Sequence, residues 1–228
     1  MRLLLINPNT SVHITERLAA SARLMLPVGA TLTALTATEG PRAVRSPAEV
    51  RGAAERVVAM AREHGSQHDA VVVAISLDCG LAQARALCAP RPVIGMTEAA
   101  CLLACLCGPR FGVLTLGRDM ASLYHDHVSQ LGLGQRLVGV ATPEAPAAFD
   151  APVATVSPQL LDLLTEAARP LLQNGADAIV LAGAVLCGYA PALQQRLGKP
   201  VLDGVACAVQ LACARLEMAW LNSAAAVE

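Results

Sequence analysis

Along this chain, short uninterrupted apolar runs alternate with longer stretches in which apolar residues recur every three or four positions. The runs Leu3–Ile6, Val71–Ala74 and Val93–Ile94 have strand length and β-branched content, whereas residues 12–25, 47–64 and 97–106 carry helical spacing with polar faces. Further along, Gly112–Leu114, Ile179–Leu181 and Val201–Leu202 read as strands, and the stretches near 118–131, 157–174 and 205–219 read as helices. Leu32–Leu35 and Val138–Ala141 add one strand to each series. Strands without polar alternation, separated by helices, predict parallel sheets covered on both faces.

The two series are one pattern written twice. At an offset of 108 positions, Asp69-Ala-Val-Val-Val-Ala-Ile-Ser-Leu-Asp-Cys79-Gly-Leu-Ala82 lies over Asp177-Ala-Ile-Val-Leu-Ala-Gly-Ala-Val-Leu-Cys187-Gly-Tyr-Ala190. Pro92-Val-Ile then faces Pro200-Val-Leu, Ala104-Cys105 faces Ala212-Cys213, and Arg2–Ile6 falls on Arg110–Leu114. The expected fold class is therefore α/β, with two pseudo-symmetric lobes, each a mainly parallel sheet flanked by helices, and a cleft between them. Residues 1–108 form the first lobe and 109–204 the second; the C-terminal helix, within 205–228, is expected to pack across on the first. The Pro- and Ala-rich stretch Thr142–Val156 reads as a loop of the second lobe.

Composition narrows what such a fold does. Apolar residues make up 54 % of the 228 positions and charged ones 15 %, yet no apolar stretch reaches the roughly 18–20 residues of a membrane helix. The N-terminal apolar run is too short for a signal-peptide core, so a soluble cytoplasmic protein is expected. Net charge is −1 with the basic residues scattered, which leaves no footprint for nucleic acid. Aromatics are 2 %, too few for base-stacking platforms. The eight cysteines lack zinc-finger spacing, and a cytoplasmic chain of this size has little use for disulfides, so neither a metal nor a disulfide framework is expected. Cys101, Cys105, Cys207 and Cys213 sit among Ala, Leu and Val at helical intervals and read as small core hydrophobes.

In open parallel sheets, ligands bind beyond the carboxyl ends of the strands. The first such loop, Asn7-Pro-Asn-Thr-Ser11, offers Asn9 and Thr10 either to a polar ligand or to the start of the next helix. Thr115 occupies the corresponding place in the second lobe. The repeated strand ends in Cys-Gly both times, which puts Cys79 and Cys187 on facing walls of the expected cleft. A helix start behind each thiol would lower its pKa from about 8.5. One thiolate and one thiol on opposite faces of a planar intermediate suit two-base proton transfer, with the amides of Gly80 and Gly188 as oxyanion donors. Asp78 reads first as a cap for a helix at 80–88 and second as a base. His125 and His127 do not share a helix face and read as solvated, Tyr124 as half-buried, and Glu98 and Asp203 as helix caps or polar walls.

Taken together, Ile6-Asn-Pro-Asn-Thr-Ser11, Val73-Ala-Ile-Ser-Leu-Asp-Cys-Gly-Leu81, Pro92-Val-Ile-Gly-Met-Thr-Glu-Ala99, Arg110-Phe-Gly-Val-Leu-Thr115, Asp177–Gly183 and Val201-Leu-Asp-Gly204 resemble the hydantoin/allantoin racemase branch of the aspartate/glutamate racemase superfamily. The resemblance implies two pseudo-symmetric lobes, no cofactor, two cysteines that exchange a carbon-bound proton, and a homo-oligomer. It also shows a departure. The branch carries its first cysteine in a pattern like Ala-Cys-Phe-x-Asp-Pro-Gly-Leu and its second in Gly-Cys-Ala-Gly. Those columns fall here on Ile75 and Gly183, with cysteines four positions later in both lobes.

Three functions follow from this reading. The first is a racemase or epimerase of a small carbonyl-activated substrate, such as a 5-substituted hydantoin, allantoin or an amino-acid derivative. A decarboxylase or isomerase on the same scaffold would use a single Cys79 or Cys187 as proton donor. A non-catalytic small-molecule binding protein would retain the pocket without proton exchange.

Overall fold

The computed structural model describes residues 1–44, 46–143 and 156–224, with side chains through 219. Most of the expected Thr142–Val156 loop, and the last four residues of the chain, lie outside them.

Residues of the first series build one four-stranded parallel sheet, and those of the second build another. β1 (Arg2–Asn7), β2 (Thr31–Thr36), β3 (Ala70–Val73) and β4 (Val93–Gly95) lie in the order β2-β1-β3-β4. β5 (Phe111–Leu114), β6 (Leu137–Ala141), β7 (Ala178–Leu181) and β8 (Val201–Asp203) repeat that order as β6-β5-β7-β8. The repeat thus survives in three dimensions, strand for strand. Parallel pairing at both centres, Leu4 beside Val71 and Gly112 beside Ile179, leaves no room for short hairpins and demands helical crossovers.

Those crossovers are helices α1 (Val12–Arg23), α2 (Pro47–His64) and α3 (Leu81–Cys88) in the first sheet, and α5 (Asp119–Gln130), α6 (Pro158–Gln173) and α7 (Ala190–Leu197) in the second; α4 (Met96–Cys107) leads from the first sheet to the second, and α8 (Gly204–Ala224) follows the last strand. The two long outer helices, α2 and α6, start alike. Ser46 accepts from the Glu49 amide and Ser157 from the Leu160 amide, with Pro47 and Pro158 at the first helical position, where a missing N–H costs nothing. None of the helices among the described residues is long and apolar enough to cross a membrane.

Strand periodicity distributes the core. On β1, Leu3 and Leu5 face an inner layer while Leu4 and Ile6 face outward beneath α2 and α3; on β7, Ala178 and Val180 face inward while Ile179 and Leu181 face the layer under α6 and α7. The inner layer is common to both sheets, since Leu5 and Val72 share one cluster with Phe111, Val113 and Val180. Helices α4 and α8 fill it by packing on each other, and α8 also lies on β3, β4 and α1. Five layers result, and their strand ends open on the same region.

Candidate functional site

A cavity of about 510 Å³ lies at the carboxyl ends of β1, β3, β5 and β7. Its wall comes from Asn9, Ser11, His13 and Ile14 after β1, Arg42–Val44 beyond β2, and Ile75 and Ser76 after β3. The second series contributes Thr115–Gly117, Asp119 and Met120 after β5, and Ala182–Val185 after β7. Both halves of the repeat therefore face one space.

The β1 loop is held by a chain of side-chain bonds. Asn7 Nδ2 donates to Asn9 Oδ1 (3.0 Å) and Thr15 Oγ1 (2.9 Å), the Ser11 amide donates to Asn9 Oδ1 (2.9 Å), and the Ser11 hydroxyl donates to the Arg42 carbonyl (2.7 Å). With its oxygen accepting twice, Asn9 keeps its amide nitrogen as the group to offer a ligand. Tyr124 of α5 is fully buried rather than half-buried, and its Oη makes no hydrogen bond of ordinary geometry. Burial raises its pKa; the hydroxyls of Ser76 and Thr115 stand near enough to oppose that shift. Two hydroxyls on the cavity wall, one from each half, thus stand against a buried tyrosine.

Of the residues singled out from the sequence, Asn9 and Thr115 line the cavity. Thr10 turns away, its amide donating to the Pro41 carbonyl (3.2 Å) and its hydroxyl to that of Gly40. Gly80 is pressed against α2, where a Cβ would come 2.7 Å from the Ala54 carbonyl oxygen, so its role is close packing. Gly188 spends its amide on Asp203 Oδ2 (2.7 Å).

Neither Cys79 nor Cys187 lines the cavity. Cys79 Sγ donates backward to the Ser76 carbonyl (3.1 Å) and packs in the outer layer with Val57, Leu81 and Ala84; Cys187 packs in the inner layer. The expected lowering of the thiol pKa is reversed in both. Burial first, and then the Asp78 carboxylate, push Cys79 up to about 12. Burial and the Asp203 carboxylate hold Cys187 well above its ordinary value. In both, desolvation of a thiolate outweighs the help of a helix start. At the cavity itself stand Ile75 and Gly183, the two columns where the resembling branch carries its cysteines.

Asp78 has a different partner from the expected one. It caps α4, not the helix at 80–88, by accepting the Thr97 amide on Oδ1 (2.9 Å) and the Glu98 amide on Oδ2 (2.7 Å), while His127 Nε2 lies 3.2 Å from Oδ2. His127 is thereby drawn out of solvent, whereas His125 stays exposed beside Asp126. Glu98 pairs with Arg85, and Asp203 caps α8 through the Val205 and Ala206 amides. Ser11, His13, Arg42, Ser76 and Asp119 were not singled out from the sequence. Ser76 and Asp119 each follow a strand end by a few residues, and that is the signal that could have found them. Among the described residues, no group of His, Cys, Asp and Glu side chains is placed to hold a metal ion.

Twin parallel sheets, a shared inner helix layer and a polar cavity at the strand ends define a duplicated α/β class of protein. The chain belongs to the Asp/Glu/Hydantoin racemase family, whose model matches residues 3–212. It is 29 % identical to the hydantoin racemase of Paenarthrobacter aurescens over 99 % of this chain and 95 % of that one. To the hydantoin racemase of Rhizobium meliloti it is 32 % identical, over 98 % and 92 % of the two chains. Allantoin racemase from Klebsiella pneumoniae superposes with a TM-score of 0.88 at 29 % identity, covering 96 % of this chain and 89 % of that one. The family resemblance carried by the sequence motifs is thus confirmed along nearly the whole chain.

Proposed function

We propose that this protein is a racemase of a small hydantoin-type ring, inverting a stereocentre beside a carbonyl without a cofactor. The observation that supports it is the cavity itself: about 510 Å³, walled by the neutral polar groups Asn9, Ser11, Ser76 and Thr115 from both halves, in a chain similar throughout to hydantoin and allantoin racemases. Such groups match the alternating C=O and N–H edges of a cyclic imide. Removing the ring proton moves charge onto a carbonyl oxygen, and the hydroxyls of Ser76 and Thr115, backed by Tyr124, are the donors available to it. His13 on the first turn of α1 and Asp119 on the first turn of α5 bring an imidazole and a carboxylate to the cavity wall from opposite halves. This reading assigns them the acid and base roles.

A second reading keeps the thiols. Cys79 and Cys187 follow directly on the turns Ser76–Asp78 and Ala184–Leu186, each of which begins on the cavity wall. In that reading both turns open to bring Sγ forward. Incubating each enantiomer of a 5-substituted hydantoin in D₂O, with chiral separation and mass measurement, separates the alternatives. Under the first, His13→Gln or Asp119→Asn lowers deuterium-linked inversion by about 10²-fold or more, and the Cys79→Ser/Cys187→Ser double variant stays active. Activity lost in the double variant alone transfers the chemistry to the thiols. Tight binding of the ring with no exchange by the wild type overturns the racemase reading in favour of a binding protein.

A further inference from the structure

The turn after β3 is strained beside the cavity. Leu77 and Asp78 both adopt left-handed backbone angles, φ 60° and 46°, in adjacent non-glycine positions. Each such residue is strained and persists only where its surroundings hold it. Two of the holding bonds, from the Thr97 and Glu98 amides, come from the same half. The third comes from the other half, where His127 of α5 reaches Asp78 Oδ2, with the two side chains only 15 % and 1 % exposed. One turn earlier on the same helix face, Tyr124 stands against Ser76. Helix α5 therefore presses on this turn at two points, and the turn begins with Ser76 on the cavity wall. The second half is tied reciprocally: Arg17 of α1 donates to the Cys187 carbonyl (3.2 Å) and lies over the Tyr189 ring.

Resting on the function proposed above, we infer that His127 is a positioning residue of the site: by holding Asp78 from the opposite half it keeps the strained Leu77–Asp78 turn closed and fixes the Ser76 hydroxyl on the cavity wall. Cys79 reports on that turn without any substrate, because its thiol lies behind it on the Ser76 carbonyl. In full-length protein at one fixed pH, iodoacetamide labelling of Cys79 is followed by peptide mass, with buried Cys101 as the control for global opening. His127→Leu should speed Cys79 labelling by about tenfold with Cys101 unchanged, as loss of a charge-assisted bond in a local opening equilibrium would. It should also raise KM for a 5-substituted hydantoin by more than it lowers kcat. His127→Gln, which can still donate to Asp78, should restore most of both. Unchanged Cys79 labelling, parallel acceleration at Cys101, or a Gln variant no better than Leu overturns the inference. Should the wild type act on no hydantoin, the proposed function falls, and the labelling still decides whether His127 holds the turn.

Discussion

The turns after β3 and β7 start from equivalent positions of the repeat and deliver their cysteines to different layers. In the first half the chain reverses through left-handed Leu77 and Asp78, and Cys79 ends in the outer layer under α2 and α3. In the second half the positive φ comes earlier, at Gly183 (126°), and Cys187 ends in the inner layer. The capping carboxylates differ in the same way. Helices α4 and α8 each present their second and third amides to an aspartate: Asp203, adjacent in sequence, serves α8, while Asp78, from a different loop, serves α4. The position equivalent to Asp203 is Gly95, where a Cβ would lie 2.5 Å from Asp78 Cγ. One space is filled by a carboxylate in both halves, from two different places in the chain. A duplicated fold can thus keep its electrostatics while exchanging the residues that supply them.

The sharpest way to break this comparison is at the paired glycines. Gly80→Ala should destabilise by about 3 kcal/mol or more, since a left-handed residue then meets the Ala54 carbonyl oxygen at 2.7 Å. Gly188→Ala has the same sign of φ but nothing within 4 Å of the added carbon, and should cost about 1 kcal/mol. Urea titration of both variants measures the difference, and equal losses would mean that the two turns are packed alike.

Removing the caps tests the exchange of carboxylates. Asp78→Ala and Asp203→Ala each leave buried helix amides without partners, an effect of about 1–3 kcal/mol. Each also has a third partner, His127 for Asp78 and the Gly188 amide for Asp203, so the loss should be larger at Asp78 because it occupies a left-handed position that alanine disfavours. A larger loss at Asp203 would reverse the assignment of strain to the first turn.

At neutral pH the comparison leaves no trace in the two thiols, whose effect emerges only at alkaline pH, where, despite their different layers, they act in the same direction. A thiol whose pKa is raised by folding contributes stability that is fully present below its unfolded value and is lost as pH rises toward the folded one. For Cys79 that window runs from 9.0 to about 12. Stability should therefore fall above pH 9 by up to about 1.4 kcal/mol per pH unit for each such thiol. Cys79→Ser and Cys187→Ser should each flatten the slope of melting temperature against alkaline pH. A slope identical to that of the wild type would place the substituted thiol in contact with water.

The fold was legible in the sequence because it rests on periodicity and repetition. The apolar runs specify which segments are buried on both faces, and the 108-residue register shows that whatever sheet the first half forms, the second forms again. That Asn9 and Thr115 lie at the cavity wall was legible for the same reason, since a residue just past a strand end lies at that edge of a parallel sheet whatever its rotamer. The layers that the two cysteines enter were not. Matching letters at 79 and 187 fix only where each Cα falls along the chain. Which layer each Sγ enters depends on where the backbone turns left-handed, at 77–78 in one half and at 183 in the other, and that depends on contacts with Thr97, Glu98, His127, Arg17 and Asp203 that lie far away in sequence. Sequence alone determined the sheets and the edge where chemistry can occur; tertiary packing decided which side chains reach that edge and, by desolvating two thiols, in which direction their pKa values move.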